Sequence, residues 1–343
     1  MAKIINIDGL YGSEGGQVLR TACSLAVITK KPCCIFNIRK NRPSPGLMPQ
    51  HLIALQSLAN ICNGKVEGNF LGSDKINFYP GFNYKNKISV KIPTAESVVL
   101  ILQSLLPVCI FSDQETEIEI NGGATDTFFA PTFDYFIYVF LNFLTKMGGR
   151  VEINILRRGY YPQGGAKVKI KVNPVLKLKP LNLTQRDNLK RILAISGASS
   201  SLKEQKIAER QMAGINEILG KFKLPIEERV EYYETQCPGS QVCLIAEFEN
   251  TMIGVDNLGK LGKKAEIIGQ EVALDLLKEQ KTEACLDKYL TDQILPYLAL
   301  ANGASKVTVS EITNHCKTNM WIIEKFLEGR FIINGNLIAW SPR

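Results

Sequence analysis

One order of secondary-structure signals occurs three times along the chain: a helix, a strand, a loop, a second helix, a glycine and a strand. The leading helix of each unit is predicted from its apolar periodicity, over residues 15–28, 95–108 and 290–301. Each of these helices carries a glutamine at a similar position: Gln17, Gln103 and Gln293. A repeat of this kind indicates one supersecondary unit used three times. We therefore predict an α/β fold of three repeated α/β units, with the helices packed on sheets.

The second and third units are separated by a long segment with helix and strand signals of its own. We predict that residues 183–280 form an inserted, smaller α/β domain. Residues 1–182 and 281–343 would then form the catalytic domain of three repeats. Within the insertion, residues 254–273 contain four glycines and several lysines. This composition is typical of a phosphate-binding loop or of a surface turn, and its spacing is not that of a P-loop.

Composition and charge narrow the class of protein. The chain has 343 residues, 45% of them hydrophobic, and a formal net charge of +8, which favours a polyanionic partner such as RNA or a nucleotide. Its nine cysteines form no C-x-x-C pair, so neither a disulfide framework nor a zinc site is indicated. The most apolar window, residues 98–111, contains Pro107 and is too short to span a bilayer. We expect a cytoplasmic protein with no membrane partner, and the sequence leaves its oligomeric state open.

His315 is one of only two histidines. It lies between a predicted strand over residues 306–310 and an apolar helical run that we expect Thr318 or Asn319 to cap. Backbone N–H groups at such a junction attract phosphate, and a neutral imidazole is nucleophilic near pH 7. The alternative is a loop histidine bonded to a backbone carbonyl.

The loops between the strand and the second helix of a unit are rich in residues that suit a binding site, such as cations, prolines, glycines and aromatic residues. In the first unit, three prolines frame cations and polar side chains: Arg39, Lys40, Arg42, Gln50 and His51. Such a loop is either a clamp for oligonucleotide phosphates or a solvated basic loop. In the second unit, the loop carries Gly122, Gly123, Asp126, Phe128, Phe129 and Pro131. Its apolar residues would either take one face of a purine or pack into the core.

Six segments together resemble the RNA 3'-terminal phosphate cyclase family. They are IDGLYGSEGGQVLRTA, IRKNRPSPGLMPQHL, LILQSLLP, RRGYYPQGGAKV, LDKYLTDQILPYLALA and HCKTNMWIIEKFL, and they run in the family's order from one end of the chain to the other. The family is related in fold to enolpyruvyl transferases, which are also built from repeated α/β units. The resemblance therefore implies the same fold class as the repeat.

The resemblance also implies an ATP-dependent reaction in three steps. A histidine attacks the α-phosphate of ATP, AMP passes to an RNA 3'-phosphate, and the 2'-hydroxyl displaces AMP to leave a 2',3'-cyclic phosphate. His315 matches the nucleophile. The positions that match ATP binding are Gln103, Pro131, Tyr289, Leu290, Thr291, Asp292 and Gln293, with adenine between Tyr289 and Pro131. We assign RNA and phosphate binding to Arg20, Arg39, Arg42, Gln50 and His51.

A divalent cation, Mg²⁺ or Mn²⁺, would accompany the ATP. The family's GEGGGQ pattern reads GSEGGQ here, which moves the acidic residue one position along, to Glu14. Flanking glycines tolerate the backbone torsions that would bring Glu14 back toward an ion. The alternative is an exposed loop carboxylate that offsets nearby cations.

Two other functions compete with the cyclase. One is a cyclase-like protein without catalysis that binds RNA or acts in RNA processing, but the branch of the family with that role lacks the histidine. The other is an enolpyruvyl transferase, which would need neither histidine adenylation nor an RNA clamp. A covalent label from α-labelled ATP would distinguish the three.

Overall fold

A computed structural model of the protein describes residues 3–12, 15–222 and 224–343. The first sheet has four strands in the order β1-β2-β4-β3, in which β1 and β2 are parallel and the other pairs antiparallel. Its elements are β1 (Ile5–Asp8), α1 (Gln17–Thr29), β2 (Cys33–Phe36), α2 (Pro49–Cys62), β3 (Lys65–Glu67) and β4 (Ile76–Tyr79).

The second unit has the same topology. Its elements are β5 (Lys87–Ser97), α3 (Val98–Ile110), β6 (Thr116–Ala124), α4 (Phe133–Tyr135), a π-helical turn (Phe136–Phe140), α5 (Leu141–Lys146), β7 (Arg150–Arg157) and β8 (Lys167–Asn173). The strand order is β5-β6-β8-β7, again with one parallel pair followed by two antiparallel pairs.

The third unit begins with β9 (Asn182–Leu183) and continues after residues that build a separate sheet. That sheet, in the order β11-β10-β12-β13, has its own apolar core. Its elements are β10 (Leu189–Ser199), α6 (Ile207–Leu219), β11 (Ile226–Tyr233), β12 (Ser240–Phe248), β13 (Met252–Leu258) and α7 (Ala265–Lys281). These elements are inserted after β9, at the place where the first unit has only a short loop between β1 and α1. The exact division of the chain at residues 183 and 280 stays a prediction.

The third unit then closes its sheet in the order β9-β14-β16-β15, with the pairing pattern of the other two. Its remaining elements are α8 (Lys288–Leu300), β14 (Ser305–Thr308), α9 (Asn314–Phe326), β15 (Gly329–Asn334) and β16 (Leu337–Pro342). The predicted α/β fold of three repeated units is confirmed.

The leading helices α1, α3 and α8 pack around the centre of the molecule, where α3 contacts both of the others. Helix α3 is apolar on nearly every side, which is the pattern of a helix buried all round. Only Leu100 and Gln103 in this helix are not fully buried. In the described residues, no helix is both long and apolar enough to cross a membrane.

The predicted start of α9 is wrong. The helix begins at Asn314, and Thr313 is its cap, because the Thr313 hydroxyl accepts a hydrogen bond from the Cys316 amide at 3.0 Å. Thr318 and Asn319 are instead buried inside the helix. The earlier start places His315 in the first helical turn and not in the preceding loop.

Candidate active site

A cavity of about 540 Å³ lies where α1, α3 and α8 meet. This volume is typical of a site for a small molecule or nucleotide. Predicted residues that line it are Arg20, Gln103, Pro131, Tyr289, Asp292, Gln293 and His315. All three repeated glutamines, Gln17, Gln103 and Gln293, face the same space. The internal repeat thus brings equivalent positions of the three units together.

Gln17 holds the imidazole of His315. The Gln17 amide nitrogen donates to the His315 carbonyl at 3.4 Å, and its oxygen lies in hydrogen-bond contact with His315 Nδ1. Because an amide oxygen can only accept, Nδ1 carries the hydrogen and Nε2 keeps its lone pair. His315 is exposed to the cavity, so a nucleophilic nitrogen is oriented in an accessible site.

Asp292 is fixed against the start of α9. Its Oδ1 accepts hydrogen bonds from the Thr313 hydroxyl and the Cys316 thiol, both at 2.8 Å. Its backbone carbonyl accepts from Asn319 Nδ2 at 2.8 Å, and Asn319 Oδ1 accepts from Thr21 at 2.7 Å. This chain of bonds ties α1, α8 and α9 together. Burial raises the pKa of Asp292, so a cation in the cavity would be favoured beside it.

Tyr289 and the two nearby glutamines form one edge of the cavity. Gln103 Nε2 donates to Gln293 Oε1 at 3.0 Å, and Gln293 Nε2 donates to the Tyr289 carbonyl at 3.0 Å. The Tyr289 ring is 47% exposed, and Lys288 Nζ lies 5.0 Å from its centroid, so Lys288 covers one face. The open face is available for a planar ligand.

Leu290 and Thr291 do not reach the cavity. Both side chains are fully buried in α8, where the Thr291 hydroxyl donates to the Asp287 carbonyl at 2.7 Å. Asp287 caps α8 by accepting from the amides of Tyr289 and Leu290. If these two residues contribute to ATP binding, they do so by positioning the helix.

The loop of the second unit lines the same cavity as Tyr289. Pro131 lines the cavity, together with Phe128 and Phe129, which are exposed, so these phenylalanines do not pack into the core. The loop is held from the separate sheet, because the Thr132 amide donates to Asp256 on β13. Burial raises the pKa of Asp256 to about 6. The sheet built by residues 189–258 therefore contributes directly to the cavity wall.

The same loop begins at a buried ion-pair cluster. Gly122 and Gly123 have positive φ, and a side chain on Gly122 would collide with the Ile92 carbonyl. Asp126 is fully buried and pairs with Arg158 at 3.2 Å. Asp126 also accepts from the Phe133 amide at 3.0 Å, which anchors the loop's far end. Asp126 is thus a structural residue and does not line the cavity.

Arg20 connects the main cavity with a second, much smaller one lined by Gln50 and His51. Burial lowers the pKa of Arg20 to about 10. Within residues 3–12, 15–222 and 224–343, no carboxylate forms an ion pair with it. A desolvated guanidinium without a carboxylate partner favours an anion such as phosphate.

His51 lies beside Arg20 in a neutral form. Burial, together with Arg20 and Arg39, lowers the pKa of His51 to about 3. Its Nδ1 accepts a hydrogen bond from the Met48 amide at 3.0 Å, so Nε2 carries the proton and can donate. A Cβ on Gly16 would lie 2.2 Å from this Nε2, so His51 can approach only because residue 16 is glycine.

The remaining predicted phosphate-binding residues lie outside the main cavity. Arg39 is half-buried, and Arg39 Nη2 donates to the Ser44 carbonyl at 3.0 Å. Among the described residues, neither Arg39 Nε nor the buried Gln50 Nε2 has a hydrogen-bond partner. Arg42 is exposed in the same loop. Two orphaned donors next to Arg20 and His51 are suited to an anionic ligand.

Glu14, the predicted metal ligand, lies outside the described residues. The described part of the chain has no cluster of three or more His, Cys, Asp or Glu side chains able to hold a metal ion. Magnesium bound to phosphates needs only one or two protein carboxylates. Asp292 is a cavity carboxylate with an oxygen left for such an ion, because both of its described side-chain hydrogen bonds go to Oδ1.

Sequence reasoning missed Gln17 and Asn319 as site residues. Gln17 had a signal, because it shares its position with Gln103 and Gln293, yet only those two were assigned to the site. Asn319 was expected to be a helix cap, and its contacts with Thr21 and Asp292 depend on how three helices pack.

Comparison with known proteins identifies the same family over nearly the whole chain. The family model described as RNA 3'-terminal phosphate cyclase matches residues 11–333. A protein named RNA 3'-terminal phosphate cyclase from Pyrococcus furiosus is 43% identical over 334 residues, covering 97% of this chain and 96% of the relative. A protein of the same name from Methanopyrus kandleri is 40% identical over 340 residues, covering 97% and 96%.

Among solved structures, the enolpyruvyl transferase NikO from Streptomyces tendae aligns over 99% of this chain and 82% of its own, with 10% identity and a TM-score of 0.28. A TM-score this low carries no argument about the fold.

Proposed function

The chain belongs to the RNA 3'-terminal phosphate cyclase family, and we propose that, like the ATP-dependent enzymes of this family, it converts an RNA 3'-phosphate into a 2',3'-cyclic phosphate. The observation that carries this proposal is the pairing of His315 with Gln17. This pairing leaves a nucleophilic Nε2 in a nucleotide-sized cavity that Arg20 also lines. A cyclase-like protein without catalysis has no need for such a pairing.

The reaction proceeds through two adenylated intermediates. His315 Nε2 attacks the α-phosphorus of ATP and breaks its bond to the β-phosphate oxygen, which releases pyrophosphate and leaves AMP on the histidine. An oxygen of the RNA 3'-phosphate then attacks this phosphorus and frees the histidine. Finally the 2'-hydroxyl attacks the RNA phosphorus, loses its proton and expels AMP. Each step is a displacement with a competent leaving group, which is pyrophosphate in the first step, imidazole in the second and AMP in the third.

Gln17 and Arg20 have separate tasks in the first step. The Gln17 amide oxygen accepts a hydrogen bond from His315 Nδ1 and so stabilises the positive charge that develops on the ring during attack. Arg20 offsets the negative charge that builds on the phosphoryl oxygens. A Mg²⁺ or Mn²⁺ ion, when bound, neutralises phosphate charge further; Asp292 would hold it, with Glu14 as a second ligand.

Adenine lies between Tyr289 and Pro131 in this proposal, so Tyr289→Ala should weaken ATP binding. Stacking of a base on an aromatic ring contributes on the order of 1 to 3 kcal/mol. We therefore expect the apparent Kd for ATP to rise roughly 5- to 150-fold, measured by titrating ATP in a self-adenylation assay. Tyr289→Phe keeps the ring and should bind ATP like the wild type. An unchanged Kd in Tyr289→Ala would place adenine elsewhere.

The RNA end binds at a phosphate-binding group formed by Arg20, Arg39, Arg42, Gln50 and His51. Because Arg39 and Arg42 lie outside the main cavity, the double variant Arg39→Ala/Arg42→Ala should slow AMP transfer to RNA at least tenfold more than it slows enzyme adenylation. Single-turnover rates of the two half-reactions measure this. Lys65→Ala, at an exposed lysine of the same unit, controls for loss of charge. Equal losses in both half-reactions would assign the loop to ATP or to the fold.

The function itself is tested with labelled ATP. Protein incubated with α-labelled ATP should acquire an acid-labile label, whereas γ-labelled ATP should leave it unlabelled. Added RNA with a 3'-phosphate should remove the label and gain a 2',3'-cyclic end. A protein that binds RNA but never takes the label would be a non-catalytic member of the family, and the proposal would be wrong.

A further inference from the structure

The outer face of the second unit's sheet has an uneven distribution of charge. Its inner face carries buried residues such as Val90, Ile120 and Val168, so the alternate residues face solvent. Strand register arranges residues of this face in three rows, each crossing β5, β6, β8 and β7. The alternation on β7 is interrupted by an irregularity between Ile155 and Arg157, and Arg157 is half-buried, with its Nε donating to the Gly165 carbonyl at 2.6 Å. The first row is Lys91, Asn121, Lys167 and Arg157; the second is Ser89, Glu119, Lys169 and Asn154; the third is Lys87, Glu117, Lys171 and Glu152.

The first row, which we call the basic row, differs from the other two in its charge. It contains three cations and no carboxylate, whereas the second row has one charge of each sign and the third has two of each. In the third row Lys87 pairs with Glu117 at 2.9 Å, and Lys171 pairs with Glu115 at 3.0 Å. Across the described residues, no carboxylate forms an ion pair with a cation of the basic row. Among these three rows, only the basic row therefore carries a net positive charge.

The basic row lies at the end of the sheet that leads to the cavity. Lys167 is the first residue of β8 and Arg157 the last of β7. Beyond the row, β5 continues into α3, whose Gln103 lines the cavity. Strand β6 continues into the loop that carries Pro131. A strand of RNA that leaves the cavity on this side meets the basic row first.

The phosphate-binding group for the RNA end, which includes Gln50 and His51, lies on the same side as the basic row. Helix α2 packs against β5, and the Lys85 amide, just before β5, donates to the carbonyl of Ile61 near the end of α2 at 2.8 Å. The start of α2, with Gln50 and His51, therefore lies toward the later residues of β5, beyond its beginning at Lys87 and on the side of Lys91. Proposed phosphate-binding residues of the first unit, Gln50 and His51, are thus followed on the surface by Lys91 of the second unit.

We propose that the basic row, chiefly Lys91 and Lys167, binds the RNA backbone upstream of the 3'-terminal nucleotide. This inference rests on the proposed function. A cavity of about 540 Å³ is filled by a nucleotide and the reacting end, so the rest of the RNA must lie on the outer surface. Lysines there contact phosphates without reading sequence, which makes the row a determinant of affinity for long RNA and not of chemistry.

The test is the salt dependence of RNA binding by the double variant Lys91→Gln/Lys167→Gln. For single-stranded nucleic acid, the slope of log K against log salt changes by about 0.7 per phosphate contact. Losing two contacts should flatten the slope by about 1.4, so the Kd of the wild type should rise about sevenfold more than that of the variant between 50 and 200 mM salt. Fluorescence anisotropy with a labelled 3'-phosphorylated 20-mer measures this Kd.

The matched control is Lys87→Gln/Lys171→Gln, which removes the same charge from the same face but from the ion-paired row, and should keep the wild-type slope. The basic-row variant should also self-adenylate, and cyclise a 3'-phosphorylated dinucleotide, at the wild-type rate. An unchanged slope in the basic-row variant, or an equal change in the control, overturns the inference. Cyclisation of the dinucleotide by the wild type is scored separately, so it tests the proposed function whatever the slopes are.

Discussion

His315→Ala should acquire no label from α-labelled ATP and should form no cyclic phosphate. The variant lacks the nitrogen that attacks the α-phosphorus, and among the described cavity residues there is no other imidazole. The second histidine, His51, cannot substitute, because its Nδ1 accepts the Met48 amide and it lies beside Arg20 outside the main cavity. We expect adenylation below the detection limit in a gel assay of the labelled protein.

The His315 side chain is exposed, and its ring has one described hydrogen bond, to Gln17, so its removal should leave thermal unfolding unchanged. His315→Asn is the stricter variant, since its amide keeps polarity at the site but has no nucleophilic nitrogen. It should be as inactive as alanine. Phosphoramidate-linked AMP on either variant would assign the nucleophile to another residue.

The sequence was sufficient for the threefold architecture because each unit is encoded locally. Apolar periodicity marks the helices, and alternation marks strands such as β14, where Ser305 and Val307 are buried and Lys306 is exposed. The same periodicity aligned the three glutamines, and α1, α3 and α8 then brought them into one cavity. Such local patterns predict the fold correctly because the apolar side chains that form the pattern are the ones that pack between helices and sheets.

What the sequence could not provide were contacts between distant units. Gln17 and His315 are 298 positions apart, and their pairing depends on α1 packing against α9. Asp256 reaches Thr132 from a sheet that separates the second and third units in sequence. Thr313 and Thr318 are equally good caps by residue type. Only the tertiary structure, which buries Thr318, determines that Thr313 begins the helix.

Arg20→Met should cause the second-largest loss of activity, and it should not destabilise the fold. The guanidinium lines both the main cavity and the small one beside His51, so it can meet phosphoryl oxygens of ATP and of the RNA end. Removing one preorganised donor from such a site costs about 10²- to 10³-fold in rate. Single-turnover adenylation should fall by that factor, and AMP transfer to RNA should fall at least as far.

The thermal stability of Arg20→Met distinguishes a phosphate-binding role of Arg20 from a structural role. Burial lowers the pKa of Arg20 to about 10, which means that the folded protein without ligand holds this charge in an unfavourable environment. Methionine has a similar length and no charge, so Tm should stay unchanged or rise, as is common where function requires a partly buried charge without a carboxylate partner. Arg186→Met is the matched control. Burial also lowers the pKa of Arg186, but its guanidinium donates to the carbonyls of Gln280 and Ala284. That variant should lower Tm and leave adenylation intact, because the hydrogen bonds it loses stabilise the fold and do not contact the substrate.

If Arg20→Met instead lowered Tm and kept its adenylation rate, Arg20 would be a structural residue, and the anion site would have to be sought elsewhere in the cavity.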